Sequence, residues 1–224
     1  DFEKKYFKFP NFSYTFIGHP IYHTKTRQNI RKYKYISFLF GSRENEINKL
    51  SKYFDIIEKY LNTNKLGWKI FIPTLPHLTN LVVQKTKNWK TETLISNKIE
   101  DFDKYYEDVF ISITCSGTAT LEIAKRNIPQ IIIYKLNFLT ELILSLIVKV
   151  RKACILNIIS KDEIIPEIVN SNLTNKKLVH LFEKLLNDSK FREDQIINVN
   201  HYLPSIERDN SPYDISVKRI ISLL

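Results

Sequence analysis

The sequence predicts an α/β protein built on a Rossmann-like parallel sheet, and three observations carry that reading. Short runs of β-branched and aromatic residues alternate with stretches whose apolar residues recur with helical period. Of only four glycines, Gly18, Gly41 and Gly117 each end an apolar, strand-like run. No internal repeat or low-complexity linker breaks the alternation.

In chain order, a first strand is expected over Tyr14 to Ile17, ending at Gly18. The polar, basic segment Pro20 to Lys34 then marks the single candidate boundary. Residues 1–34 are read as an inter-domain or N-terminal remnant segment, and residues 35–224 as one Rossmann-like domain with C-terminal helices. The first βαβ unit begins with Tyr35 to Phe40, turns at Gly41-Ser42-Arg43, and continues into a helix with Ile47, Leu50, Phe54, Ile57 and Leu61 on one face. Ser42 is placed to cap that helix.

A strand over Trp68 to Pro73 leads to a helix over Leu78 to Lys85, and one over Thr91 to Ser96 leads to a short acidic helix at Asp101 to Glu107. The fourth strand, Val109 to Thr114, is almost wholly apolar and breaks at Cys115-Ser116-Gly117-Thr118, ahead of a helix over Ala119 to Arg126. Gln130 to Tyr134 reads as a fifth strand. An apolar helix over Asn137 to Val150 follows, then a turn-rich stretch from Asn157 to Asn172. An amphipathic helix carries Leu178, Leu181, Phe182, Leu185 and Leu186, and a last helix follows Pro212.

A chain of 224 residues, 43% hydrophobic, can bury an ordinary globular core. Lys and Arg outnumber Asp and Glu by 34 to 24, a formal charge of +10, which points to anionic partners: nucleotide phosphates, nucleic acid or an acidic membrane surface. The abundance of Ile, Lys and Asn fits AT-rich codon usage, which raises the lysine count without a functional cause, so charge does not choose among them. Cys115 and Cys154 show no pairing pattern and no Cys/His cluster has metal spacing, as in a reduced cytoplasm. The opening stretch, Asp1 to Pro10, is charged and aromatic and unlike a signal segment. The most apolar run, Phe138 to Val148, contains Glu141 and falls short of the ~20 residues of a membrane span. The chain lacks Met and begins at Asp1, and we expect a fragment without its front half.

The chemistry is expected at two turns. At Gly41 and Gly117 a strand passes directly into a helix, whose N-terminal amides attract phosphate, and both turns fall at the C-terminal ends of strands, where open α/β sheets bind ligands. Ser42 and Arg43 add a hydroxyl and a forked cation to the first turn, and Ser116, Thr118 and Thr120 bring hydroxyls to the second. Glu122, one helical turn after Thr118, shares its face and can accept hydrogen bonds from ribose hydroxyls. Plain helix caps and a surface helix would use the same residues, and at this level both readings stay open.

Several segments together resemble lipid-A-disaccharide synthase. They are Phe16-Ile17-Gly18-His19-Pro20, Gly41-Ser42-Arg43 with Glu46-Ile47, and most specifically Ser116-Gly117-Thr118-Ala119-Thr120-Leu121-Glu122; Tyr134-Lys135, Asn157-Ile158-Ile159 and Pro166-Glu167 follow in the family's order. Phe40, Cys115, Leu156 and Asn170 depart from the usual pattern without removing a phosphate-binding group.

The resemblance implies the C-terminal, UDP-sugar-binding domain of a GT-B glycosyltransferase. It implies UDP-2,3-diacylglucosamine as donor, 2,3-diacylglucosamine 1-phosphate as acceptor, UDP as leaving group, no metal and no cofactor, and a cytoplasmic site peripheral to the inner membrane. Gly41, Ser42, Arg43, Ser116, Gly117, Thr118, Glu122 and Asn157 are the expected nucleotide-sugar contacts, with Arg43 on the diphosphate and Glu122 on the ribose. No catalytic residue is expected in this chain, because the general base is expected in an N-terminal acceptor domain absent from it; an N-terminal acceptor-domain chain or a homodimer is the expected protein partner. Alone, the chain is expected to bind UDP weakly or not at all and not to turn over.

His19 has the chemistry of a base but no orienting carboxylate beside it in sequence, which favours a hinge or packing role; His23, His77, His180 and His201 are scattered. The helix over Asn137 to Val150, flanked by Lys135, Lys149, Arg151 and Lys152, fits either an acylated or membrane surface or plain packing. Rival readings are another UDP-sugar transferase or epimerase of the same fold, an inactive remnant, and a basic nucleic-acid-binding module. Dispersed lysines and the lack of a recognised motif count against nucleic acid.

Overall fold

A computed structural model describes residues 14–24, 26, 34–115, 117–135, 152, 154–208 and 211–222. Six parallel strands form one sheet: β1 (Tyr35–Leu39), β2 (Lys69–Pro73), β3 (Thr93–Ser96), β4 (Val109–Cys115), β5 (Gln130–Tyr134) and β6 (Glu167–Val169). They lie in the order β3-β2-β1-β4-β5-β6. The chain winds outward from β1 through β2 to β3, then crosses back to β4 beside β1 and winds the other way. That reversal makes the junction between β1 and β4 the topological switch point.

Alternate residues of the strands feed cores on both faces, as a doubly wound sheet requires. On one face Ile36, Phe38 and Phe40 pack against α1 (Glu44–Thr63), with Phe40 stacked on Phe54 at a 4.1 Å ring separation. Helices α2 (Thr79–Thr86) and α6 (Asn175–Asn187) complete that layer. On the other face Leu39, Phe71 and Val109 meet Tyr106 of α3 (Ile99–Tyr106) and Ile123 of α4 (Thr118–Lys125). At the sheet centre Ser37 Oγ donates to Ser112 Oγ at 2.8 Å, which keeps two hydroxyls satisfied inside the apolar sandwich.

The expected strands appear as β1 to β5 with ends shifted by two residues or fewer. Four expectations are corrected. Residues 14–17 are not in strand form, and the following residues make a short 3₁₀ turn, Pro20–His23, tied back by His19 N–H donating to the Ile206 carbonyl at 2.9 Å. The stretch read as turns contains α5 (Ile155–Ser160) and the three-residue edge strand β6. A further helix, α7 (Ser189–Tyr202), has no apolar stripe to announce it, since its buried side chains are Gln195 and Val199. Ser42 does not cap α1; Arg43 occupies the N-cap position. The last helix, α8 (Pro212–Ile221), begins at Pro212 as expected. The apolar segment Asn137 to Val150 lies outside the described residues, as does Ser116. Among the described residues no helix is long and apolar enough to cross a membrane.

Candidate functional site

The two Gly turns come together because β1 and β4 are neighbours, with Leu39 in register with Thr114. Between them opens a cleft of ≈ 280 Å³, lined by Gly41, Ser42, Glu46, Gly117, Thr118 and Glu122 on its polar side. Leu39, Pro73, Leu75, Phe102, Tyr106 and Ala119 supply an apolar wall. A nucleotide needs this pairing, since its diphosphate seeks donors and its base and ribose faces seek apolar contact.

The two turns are not equivalent. At the second, Gly117 is the N-cap of α4 with φ +146°, and the Thr120 hydroxyl donates to its carbonyl at 2.7 Å. The Thr118 and Ala119 amides at the head of α4 have no intrahelical acceptor, as in any helix N-terminus. Thr118 and Ala119 both line the cleft, with the helix dipole behind them. At the first turn the amides are already taken: Ser42 N–H and Arg43 N–H both donate to Glu46 Oε2, at 2.8 and 3.2 Å. Arg43 also pairs with the other oxygen, Nη1 to Oε1 at 3.1 Å. Its side chain is 75% exposed, so the guanidinium stands in solvent, outside the residues that line the cleft, and this screened pair is worth about 0–1 kcal/mol.

Glu122 lies on the cleft side of α4, and its carboxylate has no hydrogen-bond partner among the described residues. Its charge adds to the burial that pushes the Tyr106 hydroxyl above its ordinary pKa. Beneath the Gly41 turn, burial and then the charge of Glu46 push the Cys115 thiol up to about 12, which makes it an inert lining group.

Asn157 is not brought to the cleft. It is fully buried, and its amide is spent internally: Nδ2 donates to the Ile165 carbonyl at 2.7 Å and to Glu167 Oε1, while Oδ1 accepts from Ile165 N–H at 2.9 Å. It ties α5 to the strand entry of β6. His19 is half-buried; its Nδ1 accepts from Ile21 N–H at 3.3 Å, and burial lowers its pKa. Neither the apolar wall nor the task of Glu46 stands out in the sequence reading. The wall is assembled from distant segments, whereas Glu46 sits three residues after the N-cap, a spacing that marks a reciprocal cap.

A family profile described as Lipid-A-disaccharide synthetase matches residues 1–220. The chain belongs to the lipid-A-disaccharide synthetase family. A member from Gluconobacter oxydans is 26% identical over 235 residues, covering 100% of this chain and 57% of that protein. The chain thus spans somewhat over half the length of the family relatives it matches. Its fold is that of GT-B glycosyltransferases. Acinetobacter baumannii MurG superposes with TM-score 0.53 at 18% identity, over 89% of this chain and 57% of MurG. The C-terminal domain of the group 1 glycosyl transferase LpcC from Francisella tularensis gives TM-score 0.57 at 14% identity, over 86% of this chain and 100% of that domain. Of the two segments, Gly41 and Ser42 on one side and Gly117, Thr118, Ala119 and Glu122 on the other line one cleft at the switch point.

Proposed function

We propose that this chain is the donor-binding domain of a lipid-A-disaccharide synthase. It holds UDP-2,3-diacylglucosamine while the hydroxyl of 2,3-diacylglucosamine 1-phosphate attacks the anomeric carbon, giving the β-1,6-linked disaccharide 1-phosphate and UDP. The observation that supports this most is the convergence of the Gly41–Ser42 turn, the α4 N-terminus and Glu122 on one cleft between β1 and β4, with Arg43 next in sequence to Ser42 and paired to Glu46 of the cleft lining.

As the glycosidic bond to UDP breaks, negative charge grows on the diphosphate and is stabilised by donors already in place. The amides of Thr118 and Ala119, the Thr118 and Ser42 hydroxyls and the Arg43 guanidinium are those donors; Ser116 is assigned to the same group from its place in the motif. Gly41 and Gly117 let the backbone come close. The Glu122 carboxylate takes the ribose hydroxyls, and the apolar wall takes the base. Asn157 supports the site indirectly, by bracing α5 against β6.

The two carboxylates of the cleft, Glu46 and Glu122, have other work, so the base that removes the acceptor's proton comes from an acceptor-binding unit outside residues 35–224. That unit belongs to the same polypeptide or to a partner chain, with residues 1–34 as the connection. Acylated donor and acceptor would partition into a bilayer, which supports a reaction at a membrane surface, and the family resemblance supports the cytoplasmic face of the inner membrane.

The test is to incubate the 224-residue chain with both substrates, follow the disaccharide by mass spectrometry, and follow UDP by saturation-transfer NMR. Weak UDP binding without product is the expected result. Disaccharide formed by this chain alone would overturn the division of labour, and absence of UDP binding at millimolar concentration would overturn the donor assignment.

A further inference from the structure

The heads of α1 and α4 look alike in sequence, a Gly-led turn entering a helix, but the two amides just ahead of α1, those of Ser42 and Arg43, are taken by a side chain of the helix itself. In α1 a single oxygen, Glu46 Oε2, accepts from both Ser42 and Arg43. Glu46 is the third residue of the helix, and the Gly41 backbone passes directly over it: a Cβ on Gly41 would lie 2.9 Å from Glu46 Cβ and overlap Oε2. The seat that an incoming phosphate would take at this turn therefore already holds an anion from the protein itself.

We propose that Glu46 is a positioning residue of the diphosphate site, closing the Gly41–Arg43 turn on itself and presenting the Arg43 guanidinium, in place of the turn's amides, to the phosphates. The inference rests on the donor-binding reading above. Two features of the pair fit this task. The Glu46 side chain is 12% exposed, so Oε2 and its two amide bonds are sheltered, whereas Arg43 is 75% exposed and touches only the second oxygen. Arg43 can exchange Oε1 for a phosphate oxygen without disturbing the turn. The phosphates then bind between that guanidinium, released from Glu46 Oε1, and the amides of α4.

The alternatives make opposite predictions for Glu46→Ala. As a positioning residue, its loss frees Arg43 to wander: UDP affinity falls by about tenfold, the scale of one lost charge-assisted contact, while uridine affinity is unchanged. Arg43→Ala behaves the same way, and the double variant is no worse than either single one, because both remove one unit. Tighter UDP binding by Glu46→Ala would overturn the proposal by showing that Glu46 competes for a genuine amide seat. Lowered stability with unchanged UDP affinity would overturn it by reducing Glu46 to a helix cap.

Glu46→Gln keeps an acceptor for the amides and loses the charge, and is expected to fall between wild type and Ala should the Ala variant fold poorly. A second readout needs no nucleotide. The Ser42 and Arg43 amides, bonded to Glu46 in the wild type, should exchange with solvent more slowly there than in Glu46→Ala. Equal exchange in the two proteins would overturn the proposal. Protected amides in a wild type that ignores UDP would sink the donor reading and leave the hold on the turn standing.

Discussion

Gly41 lies so close over Glu46 that a methyl group on it would sit 2.9 Å from the Glu46 Cβ. Its φ of +111° is also one that L side chains avoid. Steric overlap and backbone strain act together, so Gly41→Ala is expected to cost about 2–4 kcal/mol. Urea denaturation checks this; a loss below about 0.5 kcal/mol, the scale of an ordinary surface change, would mean that the turn relaxes freely.

Asn157 separates a structural from a ligand role. Asn157→Ala strands the Ile165 N–H and carbonyl in the core and is expected to lower stability by about 2–4 kcal/mol. Measured on the folded fraction, UDP affinity should be unchanged. A selective loss of affinity in a fully stable variant would restore Asn157 to the donor site.

Glu122 is expected to read the ribose. Glu122→Ala should weaken UDP by about tenfold and erase the preference for UDP over its 2′-deoxy analogue, as loss of an accepted pair of hydroxyl bonds would. Competition NMR with the two nucleotides measures the ratio. A preserved ribose preference would move this role to another residue.

Much of this arrangement is legible in the sequence, and the exceptions have physical causes. Strands β1 to β5 and the turns at Gly41 and Gly117 follow from local pattern, because a buried parallel strand is a short apolar run that stops at Gly or Pro. Strand β6 is three residues long, too short for any period to show. Helix α7 is held through Gln195, whose side chain accepts from Gln130 N–H at 2.6 Å and donates to the Gln130 carbonyl at 3.1 Å; a polar anchor leaves no stripe. Tyr14 to Ile17 has strand-like residues but does not take strand form, since composition alone does not make a ladder. The meeting of the two turns depends on β1 lying beside β4, a pairing that joins Ser37 to Ser112 across 75 residues and is invisible to local periodicity. Glu46 shows the limit from the other side: its spacing from Arg43 is plain, but that it fills the anion seat is a matter of geometry.

His19 carries a pH dependence of definite sign. Partial burial lowers its pKa from 6.5, and its Nδ1 must stay unprotonated to accept from Ile21 N–H. The unfolded chain therefore binds this proton more readily than the folded one. The contribution of His19 to stability is complete above about pH 6.5 and is lost as pH falls through the lower folded value. His19→Asn, whose Oδ1 can still accept from Ile21, should flatten this part of the curve. Urea midpoints from about pH 8 to 5 test it; identical pH profiles for wild type and variant would contradict the assignment.

The most direct test of the account is to map UDP onto the chain by amide NMR. The largest shifts are expected at Gly117, Thr118, Ala119 and Glu122 and at the Arg43 side-chain Nε, with the Ser42 and Arg43 backbone amides, already bonded to Glu46, moving least. Shifts centred away from the β1–β4 junction, or on the Ser42 and Arg43 amides in place of the α4 N-terminus, would contradict it.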